Sequence, residues 1–103
     1  MIVYTQIYAR ATVNSAWPYV NPSEAQKQLI AQRKQEFLDT GLLLREYRDI
    51  SEDYLVLEHV MEFATPQAYA QYLLSPTVVE LDSLLGQDCQ NKGIVRTTDT
   101  RSS

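Results

Sequence analysis

The chain has 103 residues, of which 45% are hydrophobic and 21% are charged, and its formal net charge at pH 7 is −4. This size and composition are typical of one globular domain with a single core, and they exclude a disordered or fibrous protein. The acidic balance and the absence of a Lys/Arg run argue against nucleic acid and anionic membrane surfaces as partners.

One cysteine and one histidine are too few for an intramolecular disulfide or for a structural zinc site with four Cys and His ligands. We predict no metal and no cofactor. No stretch approaches the roughly 20 apolar residues of a transmembrane helix, and the strand pattern that follows Met1 is unlike a signal peptide. We therefore expect a cytoplasmic protein with no membrane partner.

The first element in chain order is a strand over residues 1–13, in which side chains alternate between two faces. The face assigned to the core carries Val3, Thr5, Ile7, Ala9, Ala11 and Val13. The opposite face carries Ile2, Tyr4, Gln6, Tyr8 and Arg10. The small side chains of Ala9 and Ala11 would leave room for a cavity beneath the helices.

A helix is predicted next, because Asn21–Glu24 supplies an N-cap, a first-turn proline and a capping-box acid. It should run over about residues 22–40 and end at Gly41, in the left-handed conformation that glycine favours after a helix. Two strands follow, Leu42–Asp49 and Tyr54–Phe63. The core face of the latter carries Leu55, Leu57, His59, Met61 and Phe63.

The third strand passes directly into a second helix at Thr65 and Pro66, since threonine can cap a helix and proline fits its first position. This helix covers residues 65–74. Ser75-Pro76 then caps a further helical segment that extends to about residue 90, and a short last strand covers residues 94–98.

The order strand, helix, strand, strand, helix, strand predicts a ferredoxin-like βαββαβ fold of the α+β class. Its antiparallel four-stranded sheet should carry both helices on one face and leave the other face uncovered. We predict a single domain over residues 1–98 and a frayed tail over residues 99–103.

Two segments resemble the dimeric α+β barrel superfamily. One is Glu62–Tyr69, continued by Tyr72–Pro76, where an acid-aromatic pair, a small residue, an alanine-bearing helix and Ser-Pro mark the passage from third strand to second helix. The other is Gly41–Leu43. The resemblance includes antibiotic-biosynthesis-monooxygenase-like and ether-degradation-type proteins, and it implies a homodimer in which two uncovered sheet faces pack together as a dimeric α+β barrel.

Haem-degrading members of the same superfamily use an asparagine on the first strand, a tryptophan on the third and a histidine on the second helix. This chain has Thr5 and Ile7 at the first place, Met61 or Phe63 at the second, and no histidine in the predicted second helix. The resemblance therefore does not imply haem degradation.

Candidate site residues are polar groups expected among apolar neighbours. His59 should point from the sheet toward the helices, and Arg33 and Tyr72 from the helices toward the sheet. Such groups must pair with one another, reach water or meet a ligand. We predict a pocket in which Arg33 attracts an acidic or carbonyl group, Tyr72 orients the ligand, and His59 is the catalytic acid or base. The alternatives are an internally satisfied histidine, a snorkelling arginine and a core tyrosine.

Tyr69 and Trp17 are further candidates for ligand binding, Tyr69 from the second helix and Trp17 from the loop after the first strand. Their alternative roles are a core ring with its hydroxyl at the rim and a clasp that holds the loop.

The predicted dimer interface is the uncovered sheet face. Its residues are Tyr4, Tyr8, Arg10, Tyr54, Val56, Glu58, Val60 and Glu62. An uncovered face of this kind would expose an apolar patch on the order of several hundred Å², which soluble monomers rarely do. Glu58 and Glu62 either join Arg10 in an interface network or act as paired carboxylates in acid/base chemistry.

Three functions fit these features. The first, which we favour, is a homodimer of unassigned activity that binds a small organic molecule between sheet and helices. The second is a cofactor-independent, monooxygenase-like enzyme for a small aromatic or carbonyl compound. The third is a structural dimer module without a ligand. The residues leave the choice between enzyme and binding protein open.

Overall fold

A computed structural model describes residues 1–18 and 20–102 of the chain. Within these residues the strands are β1 (Ile2–Ala9), β2 (Leu43–Ile50), β3 (Val56–Phe63) and β4 (Val95–Ser102). The helices are α1 (Glu24–Arg33), α2 (Pro66–Leu74) and α3 (Pro76–Lys92). A π-helical segment, Lys34–Leu38, continues α1.

All neighbouring strands run antiparallel, in the spatial order β2-β3-β1-β4. The helices pack on one face of this sheet, where α1 lies against α3 and α2 joins α3 at its start. Element order and pairing are those of the predicted ferredoxin-like α+β fold.

Side-chain caps fix the helix starts. Thr65 Oγ1 accepts from the backbone N–H of Ala68 at 3.0 Å, with Pro66 at the first helical position, as the sequence predicts. The first helix starts later than predicted, because Ser23 rather than Asn21 is its cap. The Ser23 hydroxyl accepts from the N–H of Gln26, whose side chain accepts in return from the N–H of Ser23 at 2.8 Å, and this closed capping box outcompetes Asn21.

The faces predicted for the first strand are reversed in the structure. Ile2, Gln6 and Tyr8 are buried toward the helices, and Tyr8, at 0% exposure, packs with Leu57. Tyr8 can be buried because its hydroxyl donates to Gln6 Oε1 at 2.9 Å. The uncovered face carries the odd-numbered residues Val3, Thr5, Ile7 and Ala9.

This reversal corrects several predictions. Tyr4 and Tyr8 do not lie on the uncovered face, and Thr5 and Ile7 do not lie on the core face. Ala9 therefore leaves no room under the helices, and the exposed Ala11 follows the end of the strand. Both faces of this central strand carry apolar side chains, so alternation separates the faces without identifying the buried one.

The third strand begins at Val56, and Tyr54 belongs to the preceding turn. Tyr54 has a left-handed φ of +61° and is 61% exposed. The turn is closed by Asp53, whose Oδ1 accepts from the N–H of Leu55 at 3.0 Å and from the Ser51 hydroxyl at 2.6 Å. Tyr54 is therefore not on the sheet face predicted for it.

The last strand is longer than predicted and includes residues 99–102, which were expected to fray. Asp99 pairs with Thr5 and Ser102 with Ile2 along the whole of β1. This strand is an exposed edge held by backbone pairing, so it needs no apolar alternation that a sequence could reveal. Ser103 lies outside the described residues.

Apolar side chains fill the layer between sheet and helices in clusters. The largest contains Ile2, Phe37, Leu43, Met61, Phe63, Ala68, Tyr72 and Val78. A second, smaller cluster joins α1 to α3 through Leu29, Leu81 and Leu85. No helix in residues 1–18 and 20–102 is long and apolar enough to cross a membrane.

Candidate functional site

The layer between sheet and helices also buries a polar cluster. Gln6 is 6% exposed, Arg33 6% and His59 3%, and all three side chains line one cavity together with Glu46 and Tyr72. Removing a charge from water costs free energy unless the charge is paired. The contacts within this cluster therefore decide whether its charged groups can be buried.

The Glu46 carboxylate links Arg33 to His59. Its Oε2 lies 2.7 Å from Nη2 of Arg33, and its Oε1 lies 3.1 Å from Nε2 of His59. The Arg33 guanidinium also donates from Nε to the Tyr72 hydroxyl at 2.8 Å and contacts the Met61 sulfur at 3.4 Å. The Glu46 carboxylate thus balances the charge of Arg33, and the Tyr72 hydroxyl fixes the orientation of the guanidinium.

Local structure places each of these groups. Arg33 is the last residue of α1, and the wider π-helical turn begins immediately after it and keeps Phe37 buried. In β2 the register shifts between Leu43 and Arg45, so that Leu43 and Glu46 both pair with helix-facing positions of β3. A bulged strand turns a side chain to the other face, and here it brings Glu46 inward.

Electrostatics set the protonation states. Burial works to raise the pKa of Glu46, but the hydrogen bond from His59 and the charge of Arg33 lower it to about 2. Burial lowers the pKa of His59. Glu46 works to raise it, whereas the charges of Arg48 and Arg33 lower it further. Burial would also lower the pKa of Arg33, but Tyr72 and Glu46 raise it overall. Near neutral pH the cluster therefore holds an ionised Glu46, a charged Arg33 and a neutral His59.

The ionised carboxylate also selects the tautomer of His59. Because Glu46 can only accept, the hydrogen of the neutral imidazole is on Nε2, and Nδ1 has the lone pair. A neutral histidine oriented by a carboxylate is the arrangement of a general base.

Two neighbouring cavities form a cleft between the sheet and the helices. The inner chamber, of about 60 Å³, is lined by the polar cluster and by Val78, Leu81 and Leu85. It has room for about four water molecules. The outer chamber, of about 380 Å³, is lined by Trp17, Val20, Ile30, Arg48, Ile50 and Leu57. Ile30 and Arg48 line both chambers and form their common wall.

The structure brings together most of the predicted ligand-binding residues. His59, Arg33 and Tyr72 meet at the inner chamber, and Trp17 lines the outer one. Tyr69 lies elsewhere, because its ring packs on Tyr4 and Phe63 with centroids 5.4 Å apart in each case. Its hydroxyl bonds the Thr100 hydroxyl at 3.0 Å, in keeping with the alternative of a core ring with its hydroxyl at the rim.

The predicted network between Arg10 and the glutamates of the uncovered face is wrong. Arg10 lies beyond the end of β1, donates to the backbone oxygens of Tyr54 and Ser15, and stacks 4.0 Å above the Trp17 ring. Glu62 pairs instead with Arg45 of β2 at 2.9 Å. Alternation continued past Ala9 misplaces Arg10, because the chain has already left the sheet.

Sequence reasoning missed Glu46, Gln6 and Arg48. Gln6 was assigned to the uncovered face together with the other even-numbered residues of its strand. Glu46 and Arg48 lie on β2, where charged residues read as a solvated edge strand, and the bulge breaks the simple alternation from Leu43. A usable signal was that two polar groups expected in the apolar layer, the Arg33 guanidinium and the His59 imidazole, had no carboxylate partner in the prediction.

No protein-family model matches the sequence, and no curated protein matches it. Solved structures with the same fold include SnoaB, a cofactor-independent oxygenase from Streptomyces nogalater, with a TM-score of 0.62 and 9% identity over 99% of this chain and 91% of that one. A conserved protein from Methanosarcina mazei Go1 has a TM-score of 0.63 and 12% identity over 100% and 93%. An antibiotic biosynthesis monooxygenase has a TM-score of 0.57 and 9% identity over 98% and 97%.

At these identities the likeness shows the fold alone. The chain has the ferredoxin-like α+β fold of antibiotic-biosynthesis-monooxygenase-like proteins, as the sequence resemblance predicts. What the chain binds or transforms depends on its own cleft.

The buried cluster predicts a loss of stability in acid. On folding, the pKa of Glu46 falls from its ordinary value of 4.5 to about 2, and the pKa of His59 falls below its ordinary value of 6.5. In acid, the unfolded chain therefore binds more protons than the folded one. The free energy of unfolding is therefore highest above the ordinary pKa of His59. It falls as the pH drops, first because His59 takes up a proton and then because Glu46 does. The Glu46 share is at most about 3 kcal/mol.

Urea denaturation between about pH 7 and pH 3 measures this dependence. Glu46→Gln should flatten its acid limb, although that variant starts from a lower stability because Arg33 loses its counter-charge. Glu24→Gln, at an exposed position on α1, is the matched control and should keep the wild-type slope. A free energy of unfolding that stays constant or rises in acid would contradict the described protonation states.

Proposed function

We propose that the cleft binds a small organic molecule with a flat apolar body and a polar end. The observation that carries this proposal is the junction of two unlike chambers: an inner one lined by Arg33, Glu46 and His59, and an outer one lined by Trp17 and Leu57. An apolar pocket with a few converging polar groups is the usual form of a small-molecule site.

The sizes of the chambers support this orientation. The outer chamber, at about 380 Å³, falls within the range of ligand pockets, roughly 300 to 1,000 Å³. The inner chamber is too small for a ring system and suits a carbonyl or hydroxyl group, with the Tyr72 hydroxyl and the Gln6 amide as hydrogen-bonding groups in its wall. A ligand would place its rings against Trp17 and its polar end toward His59.

Thermal shift and calorimetry with 2-naphthoate, 2-naphthol and 1,4-naphthoquinone test the proposal, because these probes share a two-ring body and differ in the polar group. At least one should raise the melting temperature and bind with a dissociation constant in the micromolar range. A ligand at 100 times its dissociation constant stabilises the fold by about 2.7 kcal/mol, which a melting curve resolves.

Ile50→Trp fills the outer chamber without touching the polar cluster and should abolish binding. Leu74→Trp adds the same ring at an exposed position on α2 outside the cleft and should leave binding unchanged. Binding that survives Ile50→Trp would place the ligand outside the cleft.

A second candidate function is oxygenation without a bound cofactor. The observation that favours it is the pairing of a neutral His59 with an ionised Glu46 at the inner chamber, together with the fold shared with SnoaB, itself a cofactor-independent oxygenase. His59 would remove a proton from a carbon acidified by a carbonyl group, and the electron-rich carbanion would then react with O₂. Conversion of CH₂ and O₂ to C=O and H₂O balances, since the substrate loses four electrons and O₂ gains four.

Oxygen uptake with 2-tetralone, a two-ring ketone with an acidified CH₂ group, tests this function. We expect consumption of one O₂ per diketone formed, and His59→Gln should lower the rate by about 10² to 10⁴ while the ketone still binds. If the wild-type protein binds the ketone without oxygen uptake, the oxygenase function is wrong and the binding function stands.

The uncovered sheet face supports a homodimer. It carries the apolar side chains of Val3, Ile7, Tyr47, Val56, Val60 and Val95. Val95 is 63% exposed and Tyr47 43%, on a face that no helix covers. Burial of such a face against a second copy removes apolar area from water. Of the residues predicted for the interface, Val56, Glu58, Val60 and Glu62 lie on this face.

Light scattering at micromolar concentration should give twice the 11.8 kDa mass of the chain. Ile7→Asp, at the centre of the face, should yield a monomer, because it buries a charge in the interface. Leu74→Asp places the same charge on the helical side, where Leu74 is 80% exposed, and should leave the dimer intact. A wild-type mass near that of one chain would rule out the dimer and leave the fold unaffected.

A further inference from the structure

Segments that are distant in the sequence line the outer chamber. The loop after β1 contributes Trp17 and Val20. The strands on either side of the β2–β3 turn contribute Ile50, the last residue of β2, and Leu57, the second residue of β3. The shape of the chamber therefore depends on how the loop is held against this turn.

Arg10 joins the loop to the turn. Its Nε donates to the backbone oxygen of Tyr54 at 2.8 Å, and its backbone N–H donates to the oxygen of Leu55 at 2.9 Å. Within the loop, its Nη1 donates to the backbone oxygen of Ser15 at 2.6 Å. The planar guanidinium is thus bonded by the turn and by the loop at the same time, which fixes its orientation.

The turn that supplies two of these acceptors is itself held by several bonds. The N–H of Ser51 donates to the oxygen of Val56 at 2.9 Å, and the N–H of Tyr54 donates to the oxygen of Ser51 at 2.9 Å. Tyr54 has a left-handed φ of +61°, a conformation that a tyrosine keeps only where its surroundings fix it. The acceptor oxygens therefore form a rigid support for the Arg10 guanidinium.

The same guanidinium lies over the Trp17 ring, with its Cζ 4.0 Å from the ring centroid. A cation in this position is attracted to the face of an indole. The ring also packs against an apolar cluster, which contains Tyr8, Leu57, Cys89 and Ile94. Apolar contacts have little directional preference, whereas hydrogen bonds of the kind that hold the guanidinium are directional. Arg10 is therefore the contact that selects the orientation of the ring.

We infer that Arg10 is a positioning residue of the ligand site, which holds the Trp17 ring in the orientation that receives the flat body of the ligand. This inference rests on the proposed small-molecule site and adds to it a residue outside the chamber walls. Arg10 is not among the lining residues of either chamber, so its effect on the ligand passes through Trp17. A ring that is ordered before the ligand arrives costs less free energy on binding than one that the ligand must order.

The test uses Arg10→Met, which keeps a long side chain but removes its charge and its N–H donors. Calorimetry with whichever of 2-naphthoate, 2-naphthol and 1,4-naphthoquinone binds most tightly should show an affinity about three- to tenfold weaker, as expected when one more side chain must be ordered on binding. Arg10→Lys keeps a cation near the ring without the planar fork and should lose less; it carries the comparison if Arg10→Met does not fold. Arg101→Met removes an equal charge at an exposed position on β4, at the opposite edge of the sheet from β2, and should leave the affinity unchanged.

A double-mutant cycle distinguishes positioning from a merely structural role. Trp17→Leu should weaken binding by itself, and Arg10→Met should then cause no further loss, because the ring through which Arg10 acts is gone. The chain has one tryptophan, so the fluorescence of Trp17 reports its setting without a ligand. Acrylamide should quench this fluorescence more strongly in Arg10→Met than in the wild type or in Arg101→Met, because the ring is less firmly held.

The possible results separate the inference from the function on which it rests. If a probe binds the wild type and Arg10→Met equally, or if the two losses add in the cycle, the role of Arg10 is wrong and the small-molecule site stands. Unchanged quenching in Arg10→Met would also overturn it, since the ring would then keep its setting without the arginine. An equal loss of affinity in Arg101→Met would show a general charge effect, with the same consequence. If none of the three probes binds the wild-type protein, the proposed site is wrong and the inference falls with it.

Discussion

The contacts of the Glu46 carboxylate with the Arg33 guanidinium and the His59 imidazole allow the cleft to contain polar groups. Arg33 can end α1 inside the apolar layer only because this carboxylate balances its charge at 2.7 Å. The same carboxylate orients His59 and, by remaining ionised, fixes the imidazole hydrogen on Nε2. Without it, the layer would contain an unpaired guanidinium, at a cost of several kcal/mol. The polar chamber therefore depends on an acid from the edge of the sheet.

Three polar groups of the site hold one another in place. Arg33, Glu46 and Tyr72 satisfy one another, so their main physical effect is to hold the inner chamber in one geometry. His59 has the basic nitrogen, and Arg48 stands at the wall shared with the outer chamber. A chamber whose walls are held in one geometry is what preorganised binding requires.

Much of the fold followed from local signals in the sequence. The caps at Thr65 and Ser75, each followed by proline, and the left-handed Gly41 predicted element boundaries correctly, because caps act through bonds within a few residues. The core face of the third strand was also predicted correctly within β3, since Leu57, His59, Met61 and Phe63 alternate with a set that includes Glu58 and Glu62, whereas Leu55 precedes the strand. His59, Arg33 and Tyr72 were singled out as candidates on the same grounds.

What the sequence by itself determined, then, is the element order, the fold class and three members of the cleft, because periodicity and capping are local properties. Only the tertiary structure decided which face of β1 is buried, since both of its faces carry apolar side chains and the choice depends on the packing of Tyr8 beneath α3. Only the tertiary structure placed Glu46 beside Arg33 and His59, because a bulge near Leu44 turns it inward and strand pairing brings it to its partners. An ion pair between residues distant in sequence is set by register, which no local pattern encodes.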